Sequence, residues 1–305
     1  MYDAVIVGAG PAGLSAALVL GRARRRVLLC DAGSQRNAVA GETHGFLSRD
    51  GMPPLELLAE ASKQLLTYPT VESCRDKVVQ IRSLVDGFAV EFADHTLSAR
   101  RIILATGMIE DLPAIPGLRE RWGRSAFSCP YCDGWEMRDR TIAIAGDGRD
   151  LVPLAQELYQ WSRRLTICGF DSSQCSPEQR VWLRETGTST FISPIAALDG
   201  DGALTVQLEG GDSFPCDALF LCVPLVQHSQ LPSELGCAMT SRGRIEVNAD
   251  QQTSVPGIYS AGDATSHIHQ VVTAAAGGTV AGISVNNDLT AEDVRGILAA
   301  VAARF

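Results

Sequence analysis

The sequence predicts an α/β protein built from two nucleotide-binding units of the Rossmann type. Near the start, a β-branched strand, a glycine turn, a helix and a second strand follow one another within residues 3–31. Midway the pattern repeats as TIAIAGDG, LVPLAQELYQW and LTICGF. The length agrees: 305 residues exceed one core of ordinary size and favour two domains.

The first unit opens with the strand DAVIV at 3–7, followed at once by GAGPAG. Gly8 lets the chain bend sharply out of the strand. Gly10 has no side chain to hold a pyrophosphate off the backbone, and Gly13 lets the helix lie close to the strand. The helix that follows turns free N–H groups and a partial positive charge toward the phosphates. RVLLCD at 26–31 is the next strand, ending on Asp31, whose carboxylate can accept hydrogen bonds from ribose hydroxyls. A glycine motif alone is weak evidence; strand, helix and terminal acid together make it a nucleotide site.

Residues 35–58 read mainly as loop, and LELLAEASKQLL as a helix. VVQIRSL, FAVEF and TLSARRIILATG read as strands, with turns at Asp86-Gly87 and Asp94-His95. LPAIPGL carries Pro113, Pro116 and a glycine, and reads as a hinge between domains. After the second strand–turn–helix, TVQLE and ALFLCV close that unit. From about Gly243 the composition changes. SVPGIYSAGDAT predicts a strand ending at Gly262-Asp263, and TAAAGGTVAGISVNND a helix of small residues suited to close packing. Thr290 followed by Asp293 predicts a capping box that starts a final helix, with Val294, Ile297, Leu298 and Val301 on its apolar face.

Composition narrows the function. Hydrophobic residues make up 46% and charged residues 20%, enough apolar side chain for sizeable cores. The net charge of -9 argues against nucleic acid as a partner. No apolar run spans a membrane, and the first residues read as a strand rather than a leader, so the expected location is the cytoplasm. The nine cysteines are odd in number and irregular in spacing, unlike a secreted disulfide framework. Cys30, Cys168, Cys216 and Cys222 sit in or beside apolar runs and read as small buried hydrophobes.

GAGPAG, ATG at 105–107, CPYCDG at 129–134, and AGDAT with HQVVTAAAGG within 261–278 occur in one order and spacing. In this the chain resembles the low-molecular-weight thioredoxin reductase family, the two-domain flavoprotein disulfide reductases, over nearly its whole length. The resemblance implies a discontinuous FAD domain (1–112 and 244–305) with a second Rossmann-like domain of NADPH type (113–243) inserted into it, and a homodimer. By matching position, Gly8, Gly10, Ala12, Gly13, Asp31, Thr106, Gly107, Gly262, Asp263, Gln270 and Val271 would contact FAD. Asp263 would approach the ribityl chain. The helix start at Gln270–Ala274 would lie near the flavin pyrimidine ring.

The pair in FSCPYCDGWE can then be weighed. Zinc needs four ligands, and no second Cys-x-x-Cys exists, so no metal is expected. A structural staple three residues long would restrict little of the unfolded chain. A redox dithiol suits the residues, because N–H groups at a helix start stabilise thiolate. The resemblance makes Cys132 the flavin-facing sulfur, Cys129 the thiol that exchanges with a partner, and Asp133 the proton shuttle.

The second glycine turn departs from the family. Gly146 and Gly148 are present, but Leu151 replaces the third small residue, and its bulk is expected to push the helix from the strand. Asp147 places a negative charge where phosphates should lie. The family's basic cluster for a 2′-phosphate is missing after the next strand, which continues CGFDSSQ, while Arg163 and Arg164 precede it. Losing two charge-assisted contacts costs about 3 to 6 kcal/mol, which argues against ordinary NADPH. Other electron partners stay open: oxygen, with a small dithiol oxidised to a disulfide; a protein donor, with a thioredoxin-like protein reduced; or a different nucleotide or second flavin in the altered turn. A non-catalytic flavin-bound redox sensor is the alternative of another class. Phe305 either covers a flavin face in a dimer or frays in solvent.

Overall fold

The computed structural model describes residues 1–200 and 204–304; Phe305, and with it the expected flavin cover, lies outside the described residues. The chain forms two compact units. One comprises residues 1–38, 55–109 and those from Val226 onward, the other residues 39–54 and 110–225.

The first unit is organised by the strand Thr96–Leu104. Along one side it pairs in parallel with Tyr2–Val7, with Ile103 opposite Ile6. On its other side the first half pairs antiparallel with Gly87–Glu91, and the second half pairs in parallel with Ile258–Ser260. Val27–Cys30 and Val71–Cys74 extend the parallel part. The central strands are buried on both faces, which is why VIV and IIL read as unbroken apolar runs. All the parallel strands end at one edge, so the residues after Val7, Cys30, Leu104 and Ser260 are brought together there.

The helix Pro11–Arg22 packs against the long helix Val271–Ala302. Small residues make this crossing close. A Cβ on Gly278 would stand 2.0 Å from the Ala12 carbonyl oxygen, and one on Gly282 3.0 Å from that of Ala16. The long helix corrects an expectation, because it runs unbroken through Thr290 and Asp293 and no capping box forms. Thr290 instead donates to the Asn286 carbonyl at 2.7 Å and accepts from Arg25, while Asp293 pairs with Arg25 and Arg100. Tertiary ion pairs have taken the groups a cap would have used. The stripe Val294, Ile297, Leu298 and Val301 faces solvent in the single chain, 46–65% exposed.

Two segments fall elsewhere than the composition suggested. Leu231 and Cys237 lie in the first unit's core with Tyr2, Val5 and Ile258, so that unit resumes at Val226 rather than at the Gly243 composition change. Residues 39–54, part of the loop after the first strand pair, pack with the second unit.

The second unit holds a five-stranded parallel sheet in the order Ser189–Phe191, Arg164–Cys168, Thr141–Gly146, Ala218–Cys222, Ala126–Phe127. The helix Gly148–Leu158 covers it. Leu151 is fully buried there beside Ile144 and Phe220, so its bulk fills the core. A three-stranded antiparallel sheet, Ile195–Asp199, Leu204–Leu208 and Ser213–Cys216, completes the unit. Cys30, Cys168 and Cys216 are buried as expected, and Cys222 is half-buried. Among the described residues, no helix is long and apolar enough to cross a membrane.

Candidate functional site

The glycine turn of the first unit forms a cradle that side chains would block. Gly8 has φ +107°, and a Cβ there would lie 2.2 Å from the Ala105 carbonyl oxygen. A Cβ on Gly13 would lie 1.8 Å from the Gly8 carbonyl oxygen, so helix and strand touch only through glycine. Gly10 and Gly107 have nothing within 4 Å of a Cβ position, and so border open space. Gly10 N-caps the helix without a side-chain cap bond, and Pro11 occupies the first turn. The next amides of that turn are helix-start donors of the kind that can hold a phosphate. Ala12 is buried under this turn, with its Cβ near the position a Cβ on Gly262 would take.

Around the cradle, Asp31 accepts from the Ala9 amide at 3.4 Å and the Gln35 side chain at 2.8 Å. Asp263 is ion-paired with Arg36 at 3.0 Å. Gln270 caps the long helix and Val271 begins it. Thr106 Oγ1, Gln251 Oε1 and His269 Nε2 are buried without a hydrogen-bond partner. Buried polar atoms are rarely left unpaired, so a polar group belongs here. FAD suits these donors and acceptors: the helix amides would hold a pyrophosphate, Asp31 a ribose, and the orphaned atoms a polar ring edge. Burial holds the His269 imidazole below its ordinary range, against the pull of Asp263.

The cysteine pair lies in the second unit. Cys129 and Cys132 form a disulfide across a single helical turn, Pro130–Asp133, capped by Cys129. The Cys132 and Asp133 amides both donate to the Cys129 carbonyl, at 3.1 and 3.2 Å. The following Gly134 is pinned under the Trp161 ring, 2.9 Å from where a Cβ would stand. Tyr131 meets the same ring edge-on at 5.5 Å while staying 67% exposed. The Asp133 carboxyl is pushed up to about 6, first by burial and then by Glu136, with His44 pulling the other way. A carboxyl that titrates there can give or take a proton beside a thiol at neutral pH.

Comparison with known proteins bears on the family and the fold. The model of the pyridine nucleotide-disulphide oxidoreductase family matches residues 2–278. This chain belongs to that family. Its relatives include a probable thioredoxin reductase of Arthroderma benhamiae, 30% identical over 87% of this chain and 74% of that one. The crystal structure of a putative thioredoxin reductase TrxB from Bacillus anthracis superimposes with TM-score 0.90 at 35% identity, covering 96% of this chain and all of that one. The crystal structure of HlmI superimposes with TM-score 0.92 at 34% identity, covering 99% and 97%. The protein is a thioredoxin reductase-like flavoprotein disulfide oxidoreductase of α/β fold with two Rossmann-like domains. The family implies FAD and a nicotinamide nucleotide site.

In this oxidoreductase the residues expected at FAD all fall in the first unit, and Cys129, Cys132 and Asp133 all fall in the second. Sequence reasoning missed Arg36, Gln251 and His269 around the cradle, and His44 and Glu136 beside the disulfide. His269 opens HQVVTAAAGG and Glu136 ends FSCPYCDGWE without being given a role there, while Arg36, Gln251 and His44 belong to no motif. Only their type, polar residues in loops, marks them. Asp76, Asp94 and His95 bring ligand-type atoms within 4.8 Å of one another at a separate place, without sulfur.

Proposed function

We propose that the protein passes two electrons between bound FAD and the Cys129–Cys132 pair, which exchanges with an external disulfide or dithiol. The disulfide beside a buried carboxyl with a raised pKa carries this reading. Bound FAD supplies the two-electron chemistry; Gly8, Gly10, Ala12, Gly13, Asp31, Thr106, Gly107, Gly262, Asp263, Gln270 and Val271 hold and orient it. In the reducing direction, the Cys129 thiolate attacks one sulfur of the partner's disulfide. The other partner sulfur leaves and takes a proton, which Asp133 is placed to give. The Cys132 thiolate then attacks Cys129, restores the internal disulfide and releases the second partner thiol. Two electrons have moved to the partner.

A thioredoxin-like protein or a small dithiol is the partner class, and exposed Tyr131 and Trp135 flank the disulfide as a contact surface for either. Ordinary NADPH is not the donor in this reading. Asp147 caps the helix at the second glycine turn, and Asp150 lies in its first turn. A Cβ on Gly148 would meet Gln174 Oε1 at 2.4 Å, so that side chain lies over the turn. The strand Arg164–Cys168 leads to Asp171, whose carboxylate is engaged with Ser173. Arg163 stacks on Tyr159 instead, 3.8 Å from the ring centre. Acids stand where a dinucleotide needs donors. The protein acts as a cytoplasmic homodimer, and the solvent-facing stripe of the last helix is the surface a second copy would cover.

Anaerobic mixing of oxidised holoenzyme with NADPH, NADH and a reduced dithiol in turn tests this. The dithiol should bleach the flavin absorbance, and NADPH should not. Fast bleaching by NADPH would overturn the donor assignment. Sustained flux on readmitting oxygen would identify a dithiol oxidase, and a single reduction without turnover a sensor.

A further inference from the structure

His44 lies outside every motif, on the loop 39–54 that packs with the second unit. The loop is held closed. Thr43 pairs antiparallel with Met52, donating its amide to the Met52 carbonyl at 2.9 Å, and Gly51 returns a bond to Thr43 at 3.0 Å. Asp50 accepts from the Gly45 amide at 2.8 Å. This closure points the imidazole into a ring of carboxylates. His44 Nε2 stands 3.4 Å from Glu42 and 3.6 Å from Glu136, and Nδ1 stands 3.5 Å from Asp50. The side chain is only 20% exposed. Glu136 lies three residues after Asp133, which ends the disulfide turn, and acts electrostatically on Asp133, as does His44 itself.

We propose that His44 is a positioning residue for proton transfer at Cys129–Cys132, acting through Glu136 to set the charge state of Asp133. It rests on the reading of that pair as an exchanging dithiol. The groups facing His44 are Glu42 and Asp50 from its own loop and Glu136 from just after the disulfide turn, and the imidazole acts electrostatically on Asp133 within that turn. All four are acids. Glu136 raises the Asp133 titration and protonated His44 lowers it. The imidazole thus offsets the negative field of its neighbours and keeps Asp133 able to release a proton near neutral pH. Without it, Asp133 would hold its proton more tightly. The thiol step itself is unchanged: an attacking thiolate forms one S–S bond, breaks another, and the departing sulfur takes the proton from Asp133.

The test is the opening of the Cys129–Cys132 disulfide in the holoenzyme by dithiothreitol, read by alkylation and mass shift at pH 5 to 8, with rates expressed per thiolate. The rate should fall through an inflection near 6 in the native protein, and that inflection should vanish in Asp133→Asn. His44→Gln should move it up by about 0.5 to 1 unit, and Glu136→Gln should move it down by a similar amount. Opposite shifts by two variants with native melting temperatures exclude a general loss of structure. An inflection that Asp133→Asn removes but His44→Gln leaves in place overturns the role of His44 alone. A disulfide that dithiothreitol does not open, or a profile without the Asp133 inflection, overturns the exchange reading and the role of His44 together.

Discussion

Gly278→Ala tests the close helix crossing that shapes the flavin cradle. The added methyl would lie 2.0 Å from the Ala12 carbonyl oxygen and 2.7 Å from its carbon. Both are backbone atoms, so no side chain can turn aside; the helices must part by more than an ångström. Overpacking of this kind costs about 1–3 kcal/mol, and the gain in helix propensity from Gly to Ala offsets up to about 1. A net loss of about 1–2 kcal/mol lowers the melting temperature by roughly 2–8 °C. The displacement falls on Ala12, in the turn proposed to hold the FAD phosphates, so FAD affinity should fall as well. Gly296→Ala is the control. It sits on the same helix with nothing within 4 Å of its Cβ, and should stabilise by up to about 1 kcal/mol with FAD binding unchanged. Thermal melts and fluorescence titration of apoprotein with FAD read both. Equal melting temperatures and equal FAD affinity for the two variants would show that the crossing is not under the constraint described.

Cys132→Ser should accumulate a stable mixed disulfide between Cys129 and a partner thiol, whereas Cys129→Ser should not; trapping by Cys129→Ser instead would reverse the two roles. Arg101→Gln removes the partner of Asp288 and Glu292 on the long helix and should cost about 1–3 kcal/mol, measured by urea unfolding. Burial works against ionisation of both carboxyls, yet hydrogen bonds from Arg101 and Tyr259 to Asp288, and from Arg100 and Arg101 to Glu292, outweigh it and hold both below their ordinary range. Their contribution is therefore full above the unfolded value and is lost as pH falls through the lower folded one, so native stability should drop below about pH 4 and Arg101→Gln should flatten that limb. Leu298→Glu should convert the proposed dimer to monomer in sedimentation without changing the melting of the single chain, and an unchanged sedimentation coefficient would remove that stripe from the interface.

The cradle was legible because its constraint is local. Gly8 and Gly13 abut backbone within a few residues of themselves or at the end of the next strand in the sheet, and no other residue type fits; the residue type alone then reports the geometry. The disulfide was legible for the same reason, since residues 129 and 132 close on one turn. The capping box at Thr290 was misread because its groups had stronger partners 190 or more residues away, in Arg25 and Arg100. Leu151 was misread because a small residue is needed only where helix and strand approach closely, and here the side chain enters the core between them.

Local chemistry in the chain thus determined the two nucleotide-type units, the close-packed glycine turn and the thiol pair, because each depends on bond geometry or strand-and-helix period over a short span. Only folding decided which distant groups surround them. The imidazole of His44 meets Glu136 across 92 positions of sequence, and Arg36 meets Asp263 across 227. Such meetings come from loop closure and strand order. Burial in the assembled unit, which no window of sequence carries, is also the largest cause of the raised Asp133 titration.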